Sequence, residues 1–269
     1  MTFQFSNTYS AGEIHRTANK ECCIVFVHGF SESKECWSDI VYQVKDHANV
    51  VTYDCIGHGN NSDLWNDTSF ETYVDQLKSL INFLKVEEQI NKIILVGHSQ
   101  GAAIATQYTL QYPDNIDKLM LISPFTYVDE PLKALWTNFL KLVQRGDMEL
   151  FWNINSSLLL GSKSKIWSGF REKSIQDRLE FFSQEQLIPL IKALLNVNVV
   201  GDMSILHNKL THLIHGEYDT MFPNYYSKEI LRYIPEASFI KVDDANHLLI
   251  ELEPHISQEI IKTNVEITK

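Results

Sequence analysis

No apolar run in this chain is long enough to span a bilayer; its longest, such as Cys22–Val27 and Ile93–Val96, are strand-sized. No membrane span is therefore expected. The opening Met1-Thr2-Phe3-Gln4-Phe5-Ser6 lacks a basic segment followed by an apolar one, so no secretory signal is read there and the expected compartment is the cytoplasm. Basic residues are scarce. The 23 Lys and Arg face 34 Asp and Glu, and the net charge of −11 comes without any concentrated basic face. That argues against nucleic acid and anionic membrane as partners, and the scattered charges are read as solubilising helix exteriors. Cysteine is rare: Cys22, Cys23, Cys36 and Cys55 have neither zinc-ribbon nor redox-pair spacing and are expected to be reduced and small. Repeats, low-complexity tracts and Pro/Gly-rich linkers are also missing. His207, His212 and His215 lack ligand spacing, so no metal site is expected. Gly57 and Gly59 are followed by neither Lys-Ser/Thr nor a helix start, which excludes a phosphate-cradling loop and a dinucleotide fingerprint. No cofactor is implied.

What is present is an ordinary globular composition, 44% hydrophobic and 21% charged over 269 residues, long enough to bury a large core. Strand and helix patterns alternate. Phe3–Phe5 and Glu13–Thr17 read as edge strands, Cys22–Val27 as a buried strand, and 37–47 as a helix on its Trp37, Ile40, Val41, Val44 stripe. Asn49–Tyr53 is the next strand, followed by a loop from Asp54 to Ser62. Phe70–Val86 is an amphipathic helix, with Tyr73, Val74, Leu77, Leu80, Ile81 and Leu84 on one face. Ile93–Val96 and Lys118–Ile122 are further strands. From 126 to 206 the alternation stops and helical stripes take over, one through Leu132, Leu135, Trp136, Phe139, Leu142 and Val143, another through Leu187, Leu190, Ile191, Leu194 and Leu195. Trp136, Trp152 and Trp167 lie in this span. Strand–helix order then resumes with strands at Leu210–His215 and Phe239–Val242 and a last helix over about 248–262. Such alternation argues for a parallel sheet covered on both faces.

The most informative stretch is Gly97-His98-Ser99-Gln100-Gly101, between the strand Ile93–Val96 and a helix opening Ala102-Ala103-Ile104. A serine between glycines at a strand–helix turn is a nucleophile elbow. A Cβ at either glycine would strike a neighbouring element, and the strained turn exposes the Ser99 hydroxyl. The Gln100 N–H then lies at a helix N-terminus, able to donate to an oxyanion. A serine nucleophile needs a base and a group that orients the base. Asp219 follows the strand Leu210–His215, and His247 follows the strand Phe239–Val242 through Asp243-Asp244-Ala245-Asn246. Parallel strands share their carboxyl edge, so both residues are expected at the edge that carries Ser99. Glu217 competes with Asp219 as the acid, and Asp129 is a more distant alternative. Asp243 and Asp244 are read as shaping the base's loop, His28 and His98 as structural, and His58 as solvated or loop-bracing.

Four stretches together resemble the capped serine hydrolases of the α/β-hydrolase fold. They are Val27-His28-Gly29-Phe30, Asp54-Cys55-Ile56-Gly57-His58-Gly59, the elbow, and the pair Gly216-Glu217-Tyr218-Asp219 with Asn246-His247, and the likeness runs through nearly the whole chain. The resemblance implies a mostly parallel eight-stranded sheet flanked by helices, with a helical cap inserted after the sixth strand. Core would be 1–125 and 207–269, cap 126–206. It implies a Ser99, Asp219, His247 triad and an oxyanion hole from the Phe30 and Gln100 N–H groups, with Phe30, Gln100, Trp136 and Trp152 expected to line the substrate pocket. Many small-ester members carry Met where this chain has Gln100, so their substrates do not transfer. The apolar cap composition favours carboxylic esters of small to medium apolar acyl chains. The alternatives are an acyl-thioesterase or acyltransferase working on a CoA- or carrier-bound acyl group, and a very slow or non-enzymatic ligand receptor; carbon–carbon hydrolysis, lactone opening and the oligomeric state stay open. The expected partner is a small-molecule ester or thioester.

Overall fold

A computed structural model of the chain describes residues 2–3, 12–17, 21–161, 168–252, 259 and 263. Eight strands form one sheet: β1 (Thr2–Phe3), β2 (Gly12–His15), β3 (Cys22–Val27), β4 (Asn49–Tyr53), β5 (Lys92–His98), β6 (Lys118–Ile122), β7 (Leu210–Gly216) and β8 (Ser238–Val242). Their spatial order is β1-β2-β4-β3-β5-β6-β7-β8. The β1–β2 and β2–β4 pairs are antiparallel and all others parallel. Buried on both faces, β3 and β5 read as continuous apolar runs. β3 sends Cys23, Val25 and Val27 into one core and Cys22, Ile24 and Phe26 into the other, as strand alternation requires.

The second of these cores includes residues from α1 (Ser38–Val44) and α9 (Leu249–Leu252). The first is larger and covers α2 (Phe70–Val86) and α3 (Gln100–Gln111). α2 starts at a capping box in which Ser69 and Thr72 satisfy each other's backbone N–H groups, and it buries the predicted stripe. α3 is buried from Gln100 to Leu110, which suits its small residues Gly101, Ala102, Ala103 and Ala105. Among the described residues, four α-helices lie between β6 and β7: α4 (Glu130–Gln144), α5 (Met148–Leu160), α6 (Ser168–Phe181) and α7 (Gln184–Leu195). α4 packs on α7 and α5 on α6. α8 (Tyr225–Tyr233) joins β7 to β8.

Several boundaries move. The edge strands are Thr2–Phe3 and Gly12–His15 rather than Phe3–Phe5 and Glu13–Thr17. The Thr17 N–H donates to the Asn49 side chain (3.0 Å), and Phe5 lies outside the described residues. The expected loop after Asp54 runs into short 3-10 turns over Gly59–Asp67. Most of the expected last helix, 253–258 and 260–262, lies outside the described residues, as does Trp167.

Candidate active site

β5 ends in the turn that holds Ser99 at φ 55° and ψ −120°, a left-handed conformation that an L-residue adopts only under constraint. The flanking glycines supply the constraint. A Cβ on Gly101 would sit 2.2 Å from the Val27 carbonyl oxygen and 2.6 Å from that of His28, and one on Gly97 would sit 2.4 Å from the Gly101 carbonyl. Only bare backbone lets α3 approach β3 and β5 so closely. The turn is further tied by the Ser99 N–H to the Ile122 carbonyl (2.9 Å).

The loops after β7 and β8 leave the same sheet edge and bring Asp219 and His247 to Ser99. His247 Nε2 lies 3.0 Å from Ser99 Oγ and accepts its proton in hydrogen bonding, while Nδ1 donates to Asp219 Oδ2 at 2.7 Å. The other carboxylate oxygen of Asp219 accepts the Met221 and Phe222 N–H groups at 3.0 and 2.8 Å. His215 Nε2 donates to the Phe222 carbonyl (2.6 Å) and stands 3.4 Å from Asp219 Oδ2. Burial raises the Asp219 carboxyl, but His247 and His215 with their hydrogen bonds outweigh it and hold the group well below the ordinary carboxylate range.

His247 is fixed from outside the loop as well. Its N–H donates to the Leu159 carbonyl (3.2 Å), the Asn246 amide to that of Leu160 (2.9 Å), and the Thr220 hydroxyl to that of Leu158 (2.7 Å). Three carbonyls at the end of α5 are thus engaged by the loops bearing Asp219 and His247.

A carboxylate that sequence reasoning missed joins the remaining pieces. Glu32 accepts the Gly29 N–H at 2.7 Å and faces His98 Nδ1 at 3.2 Å; His98 Nε2 donates to the His247 carbonyl at 3.1 Å. Burial raises Glu32, yet the His98 charge, its hydrogen bond and the Gly29 N–H overcome this and lower it to about 2. Burial lowers His98, and Glu32 more than compensates, so His98 is raised. No local motif announces Glu32, because it stands in the loop after β3 and its partner His98 at the end of β5.

A cavity opens onto Ser99 and His247, with Phe30, Trp136, Leu159, Met221 and Phe222 among its walls. Phe30 meets Trp136 edge-on at 5.5 Å and stacks on Trp152 at 6.5 Å. Trp152 is buried behind Phe30 and is not itself a wall residue. The Gln100 side chain is likewise buried away from the cavity walls, near Tyr73 and at the start of α3. Among the described residues, neither the Phe30 nor the Gln100 N–H has a hydrogen-bond acceptor. Glu217 turns to Lys241 (2.8 Å) and the Asp244 N–H (3.2 Å), away from His247. Asp129 caps α4 through the Leu132 N–H (3.0 Å). His28 accepts the Cys55 N–H at 2.9 Å and donates to the Gly29 carbonyl at 2.8 Å, bracing the loop. His58 is fully buried and donates to the Ile56 carbonyl (2.9 Å), so it braces rather than meets solvent. Among the described residues no cluster of His, Cys, Asp and Glu could hold a metal ion, and no helix is long and apolar enough to cross a membrane.

Comparison with known proteins agrees with this fold. The profile of the alpha/beta hydrolase fold family matches residues 23–254. The fold is similar to that of MGS-M2, an alpha/beta hydrolase from a Medee basin deep-sea metagenome library, with TM-score 0.86, 19% identity and coverage of 99% of this chain and 97% of that one. It is also similar to a thermophilic esterase from Thermogutta terrifontis, with TM-score 0.79, 21% identity, and 96% and 94% covered. In sequence, the bifunctional esterase/perhydrolase DCH of Acinetobacter calcoaceticus is 30% identical over 102 residues, 37% of this chain and 36% of that protein. The matched stretches span about a third of the length of the curated relatives, at 35%, 33% and 36% of theirs.

Proposed function

Because this chain belongs to the alpha/beta hydrolase fold family, we propose that it is a serine hydrolase cleaving carboxylic esters of small to medium apolar acyl chains. The observation that carries the reading is the continuous relay from Asp219 through His247 to Ser99, with links of 2.7 and 3.0 Å. Ser99 Oγ attacks the acyl carbon as its proton passes to His247 Nε2. Asp219 holds the imidazole in the Nδ1–H tautomer and stabilises the imidazolium. The oxyanion that develops receives the N–H groups of Phe30 and Gln100; one such donor is worth about 10²–10³ in turnover. The alcohol leaves with the proton from His247, and a water, deprotonated by the same imidazole, releases the acid from Ser99. These groups move every proton and electron pair of the cycle, so the chemistry calls for no cofactor. Helices α4 to α7 act as a cap over the cavity, 126–206 standing on a core of 1–125 and 207–269.

A fluorophosphonate probe is expected to label Ser99 and to leave Ser99→Ala unlabelled. Turnover of p-nitrophenyl esters should fall roughly 10³–10⁶-fold in that variant. Undiminished labelling or turnover in Ser99→Ala would overturn the reading. Matched acyl-CoA substrates run alongside separate an esterase from a thioesterase or acyltransferase.

A further inference from the structure

Both ring nitrogens of the buried His98 face oxygen atoms. Nδ1 is 3.2 Å from Glu32 Oε2, and Nε2 is 3.1 Å from the His247 carbonyl. A carboxylate and a carbonyl only accept, so each nitrogen donates and the ring is an imidazolium. Burial opposes that charge, and Glu32 more than restores it. His98 and Glu32 both belong to the cavity wall. With its two nitrogens engaged, however, His98 has none left to take a substrate proton. Its ring lies 5.0 Å from that of His247, centroid to centroid, and meets Trp37 edge-on at 6.5 Å.

Three parts of the site meet at this pair. His98 directly precedes Ser99 at the end of β5. It holds the His247 carbonyl, while Leu159 at the end of α5 holds the His247 N–H at 3.2 Å. Both main-chain polar groups of His247 are therefore bound by elements other than its own loop. On the far side, Glu32 Oε2 accepts the Gly29 N–H at 2.7 Å, with Cys36 Sγ 3.9 Å away. The next peptide has its carbonyl, that of Gly29, bonded to His28 Nδ1 at 2.8 Å, and its N–H is the one on Phe30. A Cβ on Gly29 would sit 2.8 Å from Glu32 Oε2, 3.1 Å from Ser99 Cβ and 3.3 Å from His98 Nδ1. The loop is thus drawn against the elbow with no side chain between them. A buried ion pair costs desolvation that apolar packing avoids. Here the two charges stand between the loop of Phe30 and the main chain of His247.

We propose that Glu32 and His98 are positioning residues, a strut that fixes the Phe30 loop and the His247 main chain at one spacing about Ser99. The inference rests on the serine-hydrolase reading. Neither side chain gives or takes a proton in the cycle; the pair acts through Gly29 and through the His247 carbonyl.

Turnover of p-nitrophenyl butyrate is measured per Ser99 site, the sites being counted by fluorophosphonate labelling run to completion, so that unfolded molecules do not enter. His98→Leu is expected to lower kcat roughly ten- to a hundredfold with KM little changed. A Gln amide reaches where Nε2 stands, and an Asn amide where Nδ1 stands. His98→Gln should therefore keep part of the turnover by holding the His247 carbonyl, whereas His98→Asn should lose as much as His98→Leu. Glu32→Leu should lower kcat comparably, and Glu32→Leu combined with His98→Leu little further than either alone. Undiminished kcat in His98→Leu, equal kcat in the Gln and Asn variants, or losses that multiply in the double variant overturn the proposal. Nitrogen-15 NMR of labelled histidines needs no turnover. Both His98 ring nitrogens should carry protons at neutral pH, and the His247 Nδ1–H signal should move in His98→Leu. A singly protonated His98, or an unmoved His247 signal, overturns the strut even where no ester is cleaved. Ester turnover and probe labelling of the unaltered protein report separately on the hydrolase reading.

Discussion

Replacing Glu32 by Gln removes one negative charge and little else. The side-chain carbonyl of Gln still accepts the Gly29 N–H, so the loop carrying Phe30 keeps its shape, but His98 loses its counter-charge. The fall of Glu32 from an ordinary 4.5 to about 2 corresponds to about 3 kcal/mol of native-state stability. Its sign follows from proton uptake. Between pH 4.5 and about 2 the unfolded chain takes up the proton and the native protein does not. The contribution is therefore complete above 4.5 and disappears as the pH falls through that interval. His98 behaves oppositely: its raised value makes its share complete below 6.5 and lost as the pH rises through the native value. Both shifts report one contact, which is counted once and is greatest between 4.5 and 6.5. Urea unfolding near pH 6 is expected to show Glu32→Gln less stable by about 2–3 kcal/mol. Repeated near pH 3, the gap should shrink, because the parent has by then lost much of the same contribution. Equal stability near pH 6, or a gap that does not change on acidification, would refute the buried ion pair.

Asp219→Asn keeps an oxygen for the Met221 and Phe222 N–H groups but turns an amide toward His247 Nδ1 and favours the wrong tautomer. Steady-state kinetics should show kcat reduced about 10⁴-fold with KM little changed; a loss below tenfold would remove Asp219 from its role. Gly101→Ala forces a methyl group against two backbone oxygens at 2.2 and 2.6 Å. Separating α3 from β3 should cost about 3 kcal/mol or more and lower the thermal midpoint by roughly 6 °C or more, as calorimetry would record; an unchanged midpoint would contradict the close approach.

The elbow was legible because its demands are local: the strand before Gly97, the helix after Gly101 and the bare backbone between them are one short stretch. Asp219 and His247 were legible for a topological reason, since every parallel strand delivers its following loop to the same edge. Glu32 was not, because its partner His98 is 66 residues away in sequence and nothing near Glu32 marks it. The helical insert could be read from its stripes, yet a stripe does not say which neighbour it faces. Trp136 reaches the cavity while Trp152 stands behind Phe30. Edge strands shifted because two- and four-residue strands carry almost no periodicity.

The last turn of α5 has an engineering consequence. Specificity in such scaffolds is commonly sought by transplanting one insert for another. Here, excising α5 would strand the buried Asn246 amide and the buried His247 main-chain N–H without acceptors, and would take the Leu158 carbonyl from the exposed Thr220 hydroxyl. Any chimera must therefore reproduce the carbonyl positions of Leu158, Leu159 and Leu160, or accept a displaced His247 imidazole along with its new pocket.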